Sequence, residues 1–350
     1  MKKIKIILLT IVIIASSITA IYYFLLKSNE NHVSVQGQKS TAFKDIGVLY
    51  MKPGVIPNSE FVFIKDPEDE IVTKKITGTD YYFEETIKNK GEFVLSSVTN
   101  GNRAFIDSKN KVELAREKEK SGVSAIYEDE NLVIKGLNDD LKNSTLLIKS
   151  NKINHEIKLV GYITQIDYDQ SKHTAYIFND FTHEQKSVLY TVNVETGELK
   201  EYSFDAFGSP KNFIKTSDEI IFSSERKLSI FNKSTLTTRY IELPYSNTVG
   251  VHAYEDKYYV TFVEGHIVEY DKNFNLLKEY KNSKDSKVFR TKLTGHYLYS
   301  LSPGSFTENG ENILYAHDLK GNLKESHLIL PKKEMFSIDF KILNSSSDNS

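Results

Sequence analysis

The feature that most constrains the fold is a short turn that recurs seven times. From residue 44 onward, runs rich in Val, Ile, Tyr, Phe and Thr are divided by Asn, Asp, Gly and Lys every 8 to 12 residues, an all-β pattern. In each unit a polar residue opens a turn and an aliphatic residue begins the next strand. The turn-opening residues are Asp66, Asp107, Ser150, Asn193, Asn232, Asp271 and Asp318. Their spacings of 41, 43, 43, 39, 39 and 47 residues average 42, which indicates a repeat protein.

The period predicts the architecture of each unit. A repeat of about 40–45 residues is the length of one four-stranded propeller blade. Asp, Asn and Ser suit the turns because their side chains accept hydrogen bonds from nearby backbone amides. We therefore predict an all-β, seven-bladed β-propeller of four-stranded antiparallel blades over residues 44–343. A β-sandwich with evenly spaced turns is the alternative, but it would not readily give seven terms in so narrow a spread.

The first and last units predict how the ring closes. The first unit has three strands, Gly47–Met51, Phe61–Lys65 and Glu70–Ile76, and a surplus strand, Met335–Ile342, follows the seventh unit. Placing the surplus strand innermost in the first blade gives a three-plus-one closing blade. Closure also removes the unpaired sheet edges that promote aggregation.

The N-terminus carries a membrane signal. Residues 6–26 contain only four polar side chains, all Ser or Thr, and about 20 apolar residues suffice for a helix to cross a bilayer. Three lysines precede the segment and one follows it, which places the N-terminus in the cytoplasm and the remainder outside. The alternative is a signal peptide cleaved after Ala20, followed by secretion.

These observations divide the chain into four parts. Residues 1–27 are predicted to be the anchor with one transmembrane helix, or an uncleaved signal peptide. The polar residues 28–43 are predicted to be a flexible tether, residues 44–343 the ring, and residues 344–350 a disordered tail.

The pattern resembles the seven-bladed propeller superfamily at large, meaning WD-repeat, YVTN-type and quinoprotein-like chains. The resemblance rests on spacing, because the WD dipeptide is absent: the corresponding strand ends read Ile64-Lys65-Asp66 and Glu269-Tyr270-Asp271. The chain also contains no tryptophan, the residue that locks the blades of several of these families. No specific family is close enough to transfer residue roles.

The sequence carries no recognisable catalytic or metal-binding signature. The chain has no cysteine, and its nine histidines form neither a His-x-His nor a His-Glu-x-x-His spacing. Asp167 and Asp169 lack the glycine and further ligands of a calcium loop, which favours a solvated turn. His252 is the histidine best placed near a central channel, where a satisfied structural histidine is the favoured interpretation. We therefore predict no catalytic residues and no cofactor, leaving open a divalent metal in the channel.

The charge distribution bears on the partner. The chain has 45 basic and 47 acidic residues, and residues 28–350 carry 41 basic and 47 acidic residues, a net charge of −6. An acidic body has no electrostatic reason to hold a phosphate backbone, so nucleic-acid binding is not expected.

The longest loops predict a binding face. In a propeller, the loops between the second and third strands share one face with the connections between blades, and function concentrates on such loops. They supply acidic and aromatic candidates for partner binding: Asp139, Asp140, Asp180, Phe181, His183, Phe207, Tyr245 and Phe306.

The sequence therefore predicts a membrane-tethered extracytoplasmic propeller that binds a protein or peptide partner, a non-catalytic function being favoured. The alternative is a propeller enzyme that hydrolyses a lactone, glycan or peptide with a metal in the channel.

Overall fold

The computed structural model describes residues 34–36, 42–52, 58–68, 71–77, 81–84, 93–97, 101–107, 111–116, 122–140, 142–181, 186–204, 212–224, 226–284, 286–307, 309–331 and 335–343. They form the predicted ring of seven antiparallel sheets.

The strands follow one another regularly around the ring. The first is β1 (Ser34–Gln36), followed by the blade 1 strands β2 (Ile46–Lys52), β3 (Asn58–Ile64) and β4 (Val72–Thr77). Blade 2 contains β5 (Tyr81–Phe83), β6 (Phe93–Ser97), β7 (Asn102–Ile106) and β8 (Val112–Arg116). Blade 3 contains β9 (Gly122–Glu128), β10 (Leu132–Asn138), β11 (Asn143–Ser150) and β12 (Asn154–Val160). Blade 4 contains β13 (Tyr162–Asp169), β14 (Thr174–Phe181), β15 (Lys186–Asn193) and β16 (Leu199–Phe204).

The second half of the ring has the same order. Blade 5 contains β17 (Phe213–Lys215), β18 (Glu219–Ser224), β19 (Lys227–Asn232) and β20 (Thr237–Glu242). Blade 6 contains β21 (Thr248–Tyr254), β22 (Lys257–Phe262), β23 (His266–Asp271) and β24 (Leu276–Lys281). Blade 7 contains β25 (Arg290–Thr294), β26 (Tyr297–Ser302), the 3-10 helix η1 (Gly304–Phe306), β27 (Asn312–Asp318) and β28 (Lys324–Leu330), and β29 (Phe336–Ile342) follows.

The seven turn-opening residues form the hydrogen-bonded turns that the sequence repeat predicted. Each lies at or just after the end of the third strand of its blade. In every one of them a side-chain oxygen accepts a hydrogen bond from a backbone N–H two to four residues later. In blade 4, Gly197 adopts φ +74° in this turn, a conformation that favours glycine.

The three-plus-one closing blade is confirmed. In blade 1 the strand order is β29-β2-β3-β4, so the last strand of the ring lies innermost. Its register pairs Ile46 with Ile342 and Met51 with Phe336. The ring is thereby held shut by backbone hydrogen bonds between strands at its two ends.

The core lies between neighbouring blades, where phenylalanine and tyrosine take the place of tryptophan. Phe61 of blade 1 lies 5.1 Å from Phe93 of blade 2, and Phe178 of blade 4 lies 4.7 Å from Phe222 of blade 5, measured between ring centroids. Gly47 permits the first of these contacts, because a Cβ there would lie 2.6 Å from the Phe93 ring. Because these side chains are closely packed, substitutions among them are expected to lower the free energy of unfolding.

Asp339 on β29 joins three innermost strands. Its Oδ2 accepts a hydrogen bond of 3.0 Å from the backbone N–H of Phe83 on β5, and its Oδ1 lies 3.1 Å from Nζ of Lys292 on β25. Burial raises the pKa of Asp339, but the positive charges of Lys292 and Arg290 outweigh burial and hold the pKa below its usual value. The closing strand is thus fixed to blades 7 and 2 by a buried carboxylate.

Parts of the predicted tether are ordered against the ring. Ser34–Gln36 pairs antiparallel with β28 and gives blade 7 a fifth, outermost strand. Phe43 is fully buried, and the hydroxyl of Tyr299 donates a 2.7 Å hydrogen bond to the carbonyl oxygen of Ala42. The apolar side chain of Phe43 packs in the core between blades 7 and 1. The ring therefore begins earlier than residue 44.

The predicted transmembrane helix at 6–26 and the predicted tail at 344–350 lie outside the described residues. Within the described ranges, no helix has the length and apolar character needed to cross a bilayer.

Candidate functional site

The ring has two faces, which we name by their connections. The loop face carries the loops between second and third strands and the connections between blades. The turn face carries the turns between first and second and between third and fourth strands. This division follows from the alternating direction of the strands in each blade.

The predicted binding residues on the loop face are spread over several blades. Asp139 and Asp140 follow β10 in blade 3, Asp180 lies near the end of β14 in blade 4, and Phe306 ends η1 in blade 7. Tyr245 precedes blade 6. His183, Phe207 and the side chain of Phe181 lie outside the described residues.

The two aspartates of blade 3 are engaged in their own loop. Asp139 accepts a hydrogen bond from Oγ1 of Thr145 and lies 3.3 Å from Nζ of Lys158. Asp140 accepts hydrogen bonds from the side chain of Asn143 and from the backbone N–H of Lys142, and both lower its pKa. These contacts assign both residues a role in shaping the loop.

Tyr245 is likewise held within blade 6. Its ring stacks on His266 at 4.1 Å between centroids, and its hydroxyl donates a 2.8 Å hydrogen bond to Glu279. That hydrogen bond, followed by burial, raises the pKa of Tyr245. Phe306 is 45% exposed.

His252, the predicted channel histidine, lies at the boundary between blades 6 and 7. It is 7% exposed, and its Nε2 lies 2.9 Å from Oγ1 of Thr291 on β25. Burial lowers the pKa of His252 from 6.5 to about 4, so the side chain is neutral near neutral pH. In the described parts of the chain, no three His, Asp or Glu side chains are placed to hold a metal ion.

The buried His252 predicts a pH dependence of stability. In the unfolded chain this residue takes up a proton below about pH 6.5, whereas in the folded chain it does so only near pH 4. Its contribution to the free energy of unfolding is therefore complete above pH 6.5 and is lost as the pH falls to about 4. The difference corresponds to about 3 kcal/mol.

Urea unfolding across this pH range checks the prediction. We expect His252→Gln to lose about 3 kcal/mol less than the wild type on acidification. An equal loss in the two proteins would show that His252 does not titrate on unfolding.

The turn face carries a groove between blades 3 and 4. Its volume is about 300 Å³, at the lower end of the range for ligand pockets. The apolar floor is formed by side chains of both blades: Leu132, Ile153, Tyr168 and Val194. Tyr168 is fixed from below by the Tyr127 ring, which packs edge-on at 5.3 Å.

The rims of the groove are three hydrogen-bonded turns. Asp129 accepts hydrogen bonds from the backbone N–H groups of Asn131 and Leu132 at 2.8 and 2.9 Å. Ser150 and Asn193, two of the seven turn-opening residues, do the same for the turns that follow them. The groove is therefore preformed.

Exposed charges of both signs line the groove. Lys152 stands on the blade 3 rim and Glu195 on the blade 4 rim. His173 Nδ1 lies 3.5 Å from Oε1 of Glu195, and His155 Nε2 lies 3.1 Å from its backbone oxygen. An apolar floor between opposite charges suits an apolar side chain flanked by polar or charged groups.

Comparisons with known proteins support the fold but identify no specific family. No protein-family model matches the chain, and no curated protein does. Solved structures match at probability 1.00. One is a protein of unknown function from Desulfotomaculum acetoxidans, at 12% identity and a TM-score of 0.58, covering 85% of this chain and 99% of that one.

Two further structures are similar. A catalytically inactive virginiamycin B lyase from Staphylococcus aureus with quinupristin has 14% identity and a TM-score of 0.55, covering 85% and 99% of the two chains. YCF48 bound to D1 peptide has 12% identity and a TM-score of 0.50, covering 69% and 78%. At such identities the likeness shows a seven-bladed β-propeller, with neighbours of differing function and no specific family.

Proposed function

We propose that this protein is a membrane-tethered extracytoplasmic propeller that binds a protein or peptide partner in the groove between blades 3 and 4. The observation that carries the proposal is the preformed groove, whose apolar floor lies between Lys152 and Glu195. A similar propeller, YCF48, bears a peptide in its solved structure, which supports a peptide ligand on this fold.

The groove sets the chemistry of the partner. Its floor offers contact to one apolar side chain, and its volume leaves no room for a folded domain. Glu195 favours a basic group on the blade 4 side, and Lys152 favours an acidic group or a carboxyl terminus on the blade 3 side. The ligand is accordingly a segment of a partner chain rather than a broad surface.

Site-specific photo-crosslinking in cells that express the full chain tests the proposal. A photoreactive phenylalanine analogue at Ile153 lies in the groove, and one at Leu236 occupies the matching turn of blade 5. We expect a discrete adduct from position 153 that Glu195→Lys and Lys152→Glu diminish, and none from position 236.

Two outcomes would contradict the proposal. Adducts of equal yield at both positions would show nonspecific contact with the turn face. A tightly bound stoichiometric divalent ion in the purified full chain would favour the alternative, a propeller hydrolase with a metal in its channel.

A further inference from the structure

Blade 7 exposes two aromatic side chains on the loop face. Phe289 and Phe306 are 47% and 45% exposed, and they are the exposed phenylalanines of the described part of the chain. Their segments are joined, because the backbone N–H of Lys287 donates a 3.2 Å hydrogen bond to the carbonyl oxygen of Phe306. The two exposed rings are thus carried by adjoining segments, and a contiguous exposed apolar patch marks an interaction surface.

The loop that presents Phe306 is held in place. The buried Asn312 accepts hydrogen bonds of 2.9 and 3.0 Å from the backbone N–H groups of Gly304 and Ser337, and donates one of 3.0 Å to the carbonyl oxygen of Met335. Gly304 packs so closely that a Cβ would lie 2.4 Å from the carbonyl oxygen of Gly310. The aromatic surface, which consists of Phe289 and Phe306, is therefore anchored to the closing blade.

The direction of β1 shows which face the N-terminal segment approaches. β28 ends at the loop face, and β1 runs antiparallel to it, with Ser34 opposite Ile329 and Gln36 opposite His327. The chain before Ser34 therefore leaves from the loop face of blade 7. Seven residues, 27–33, separate β1 from the predicted membrane-crossing segment at 6–26, and seven residues span at most about 25 Å.

The aromatic surface lies beside this attachment point. Phe306 lies in the loop between β26 and β27, and β1 is the second strand outward from β27. At about 4.8 Å per strand, the lateral separation is about 12 Å. An anchor at 6–26 thus holds the loop face of blade 7 close to the bilayer surface.

The local charge also fits a lipid surface. The described residues of the loop-face connections of blade 7, 281–284, 286–290, 302–307, 309–312, 331 and 335, contain four basic residues and one acidic residue, a net charge of +3. Residues 28–350 carry −6. Phenylalanine side chains insert at the boundary between headgroups and acyl chains, and basic residues beside them attract anionic lipids.

We propose that the loop face of blade 7 docks on a phospholipid surface through Phe289 and Phe306, with Lys287 facing the headgroups. The inference rests on the membrane anchor of the proposed function, but not on the groove. It turns the groove, on the opposite face, away from the bilayer and toward its partner.

The absence of tryptophan permits a direct experiment. Phe306→Trp places the sole tryptophan of the full chain in the docking surface. Leu276→Trp is the matched control, because Leu276 is 51% exposed at the turn-face end of β24. Both variants are reconstituted into phosphatidylcholine vesicles, with and without phosphatidylglycerol, that contain lipids brominated on their acyl chains.

We expect blue-shifted emission and quenching by brominated lipid for Phe306→Trp and neither for Leu276→Trp. Phosphatidylglycerol should increase the quenching, and Lys287→Glu should decrease it. Equal quenching of the two tryptophans, or none for Phe306→Trp, overturns the docking proposal.

Two further outcomes are distinguishable. If the chain fails to float with the vesicles, the anchor and the docking proposal are both wrong. If the emission of Phe306→Trp shifts in native membranes but not in pure lipid, a membrane protein occupies the surface and lipid docking is wrong.

Discussion

Truncation after Lys332 is expected to abolish cooperative folding of the ring. The deletion removes β29, which pairs with β2 over the length of that strand and buries Phe340 completely. It also removes Asp339, which holds blades 2 and 7. The free energy of unfolding of a domain is only about 5–15 kcal/mol. Losing a buried strand and its backbone hydrogen bonds is expected to reduce this free energy by a comparable amount.

Thermal unfolding followed by circular dichroism checks this expectation. Deletion of residues 344–350 is the matched control, because it shortens the same end of the chain and retains β29. We expect a transition like that of the wild type for the control, and a broad or absent transition, with aggregation through the open edge of β2, for the truncated chain. Unchanged thermal stability after the larger deletion would refute the closing role of β29.

Local chemistry explains why the fold could be predicted from the sequence. The turn-opening Asp, Asn and Ser residues each accept a hydrogen bond from the backbone within four residues. Each turn can therefore be recognised from a short stretch of sequence. The surplus strand 335–342 likewise had to pair with an open edge, and the three-stranded first unit offered one. Both predictions depended on counting, and the structure confirms both.

Contacts between blades could not be predicted in the same way. The sequence favours a solvated turn for Asp167 and Asp169, but their carboxylates lie 2.9 and 3.6 Å from Nζ of Lys215 and Lys233 in blade 5. The paired lysines lie 48 and 64 residues away in sequence, and no local pattern joins them to the carboxylates. Only the angle between adjacent blades brings these charges together.

The groove escaped prediction for a related reason. Its rims include the turns opened by Ser150 and Asn193, which the sequence repeat predicts only as separate turns. The face chosen from loop length instead contains Asp139 and Asp140, whose oxygens are used within their own loop. Loop length does not reveal whether a side chain is already engaged, whereas the groove depends on how two turns pack.

Asp339→Ala is expected to lower the free energy of unfolding by about 3–5 kcal/mol, because it leaves the Lys292 ammonium without its buried counter-ion. The substitution also removes the acceptor for the Phe83 N–H. Asp339→Asn should be milder, since its amide oxygen can still accept that hydrogen bond while the charge is lost. The ordering of these variants separates the contribution of the ion pair from that of the hydrogen bond.

A double substitution completes the argument. Asp339→Ala leaves the Lys292 charge without its counter-ion, and Lys292→Met removes that charge. The double variant should therefore lose less stability than the sum of the losses of the two single variants. Urea unfolding of the full chain in detergent measures all four proteins. Additive losses would show that Asp339 and Lys292 act independently. A positive coupling would establish that a buried ion pair between blades 1 and 7 helps to hold the ring closed.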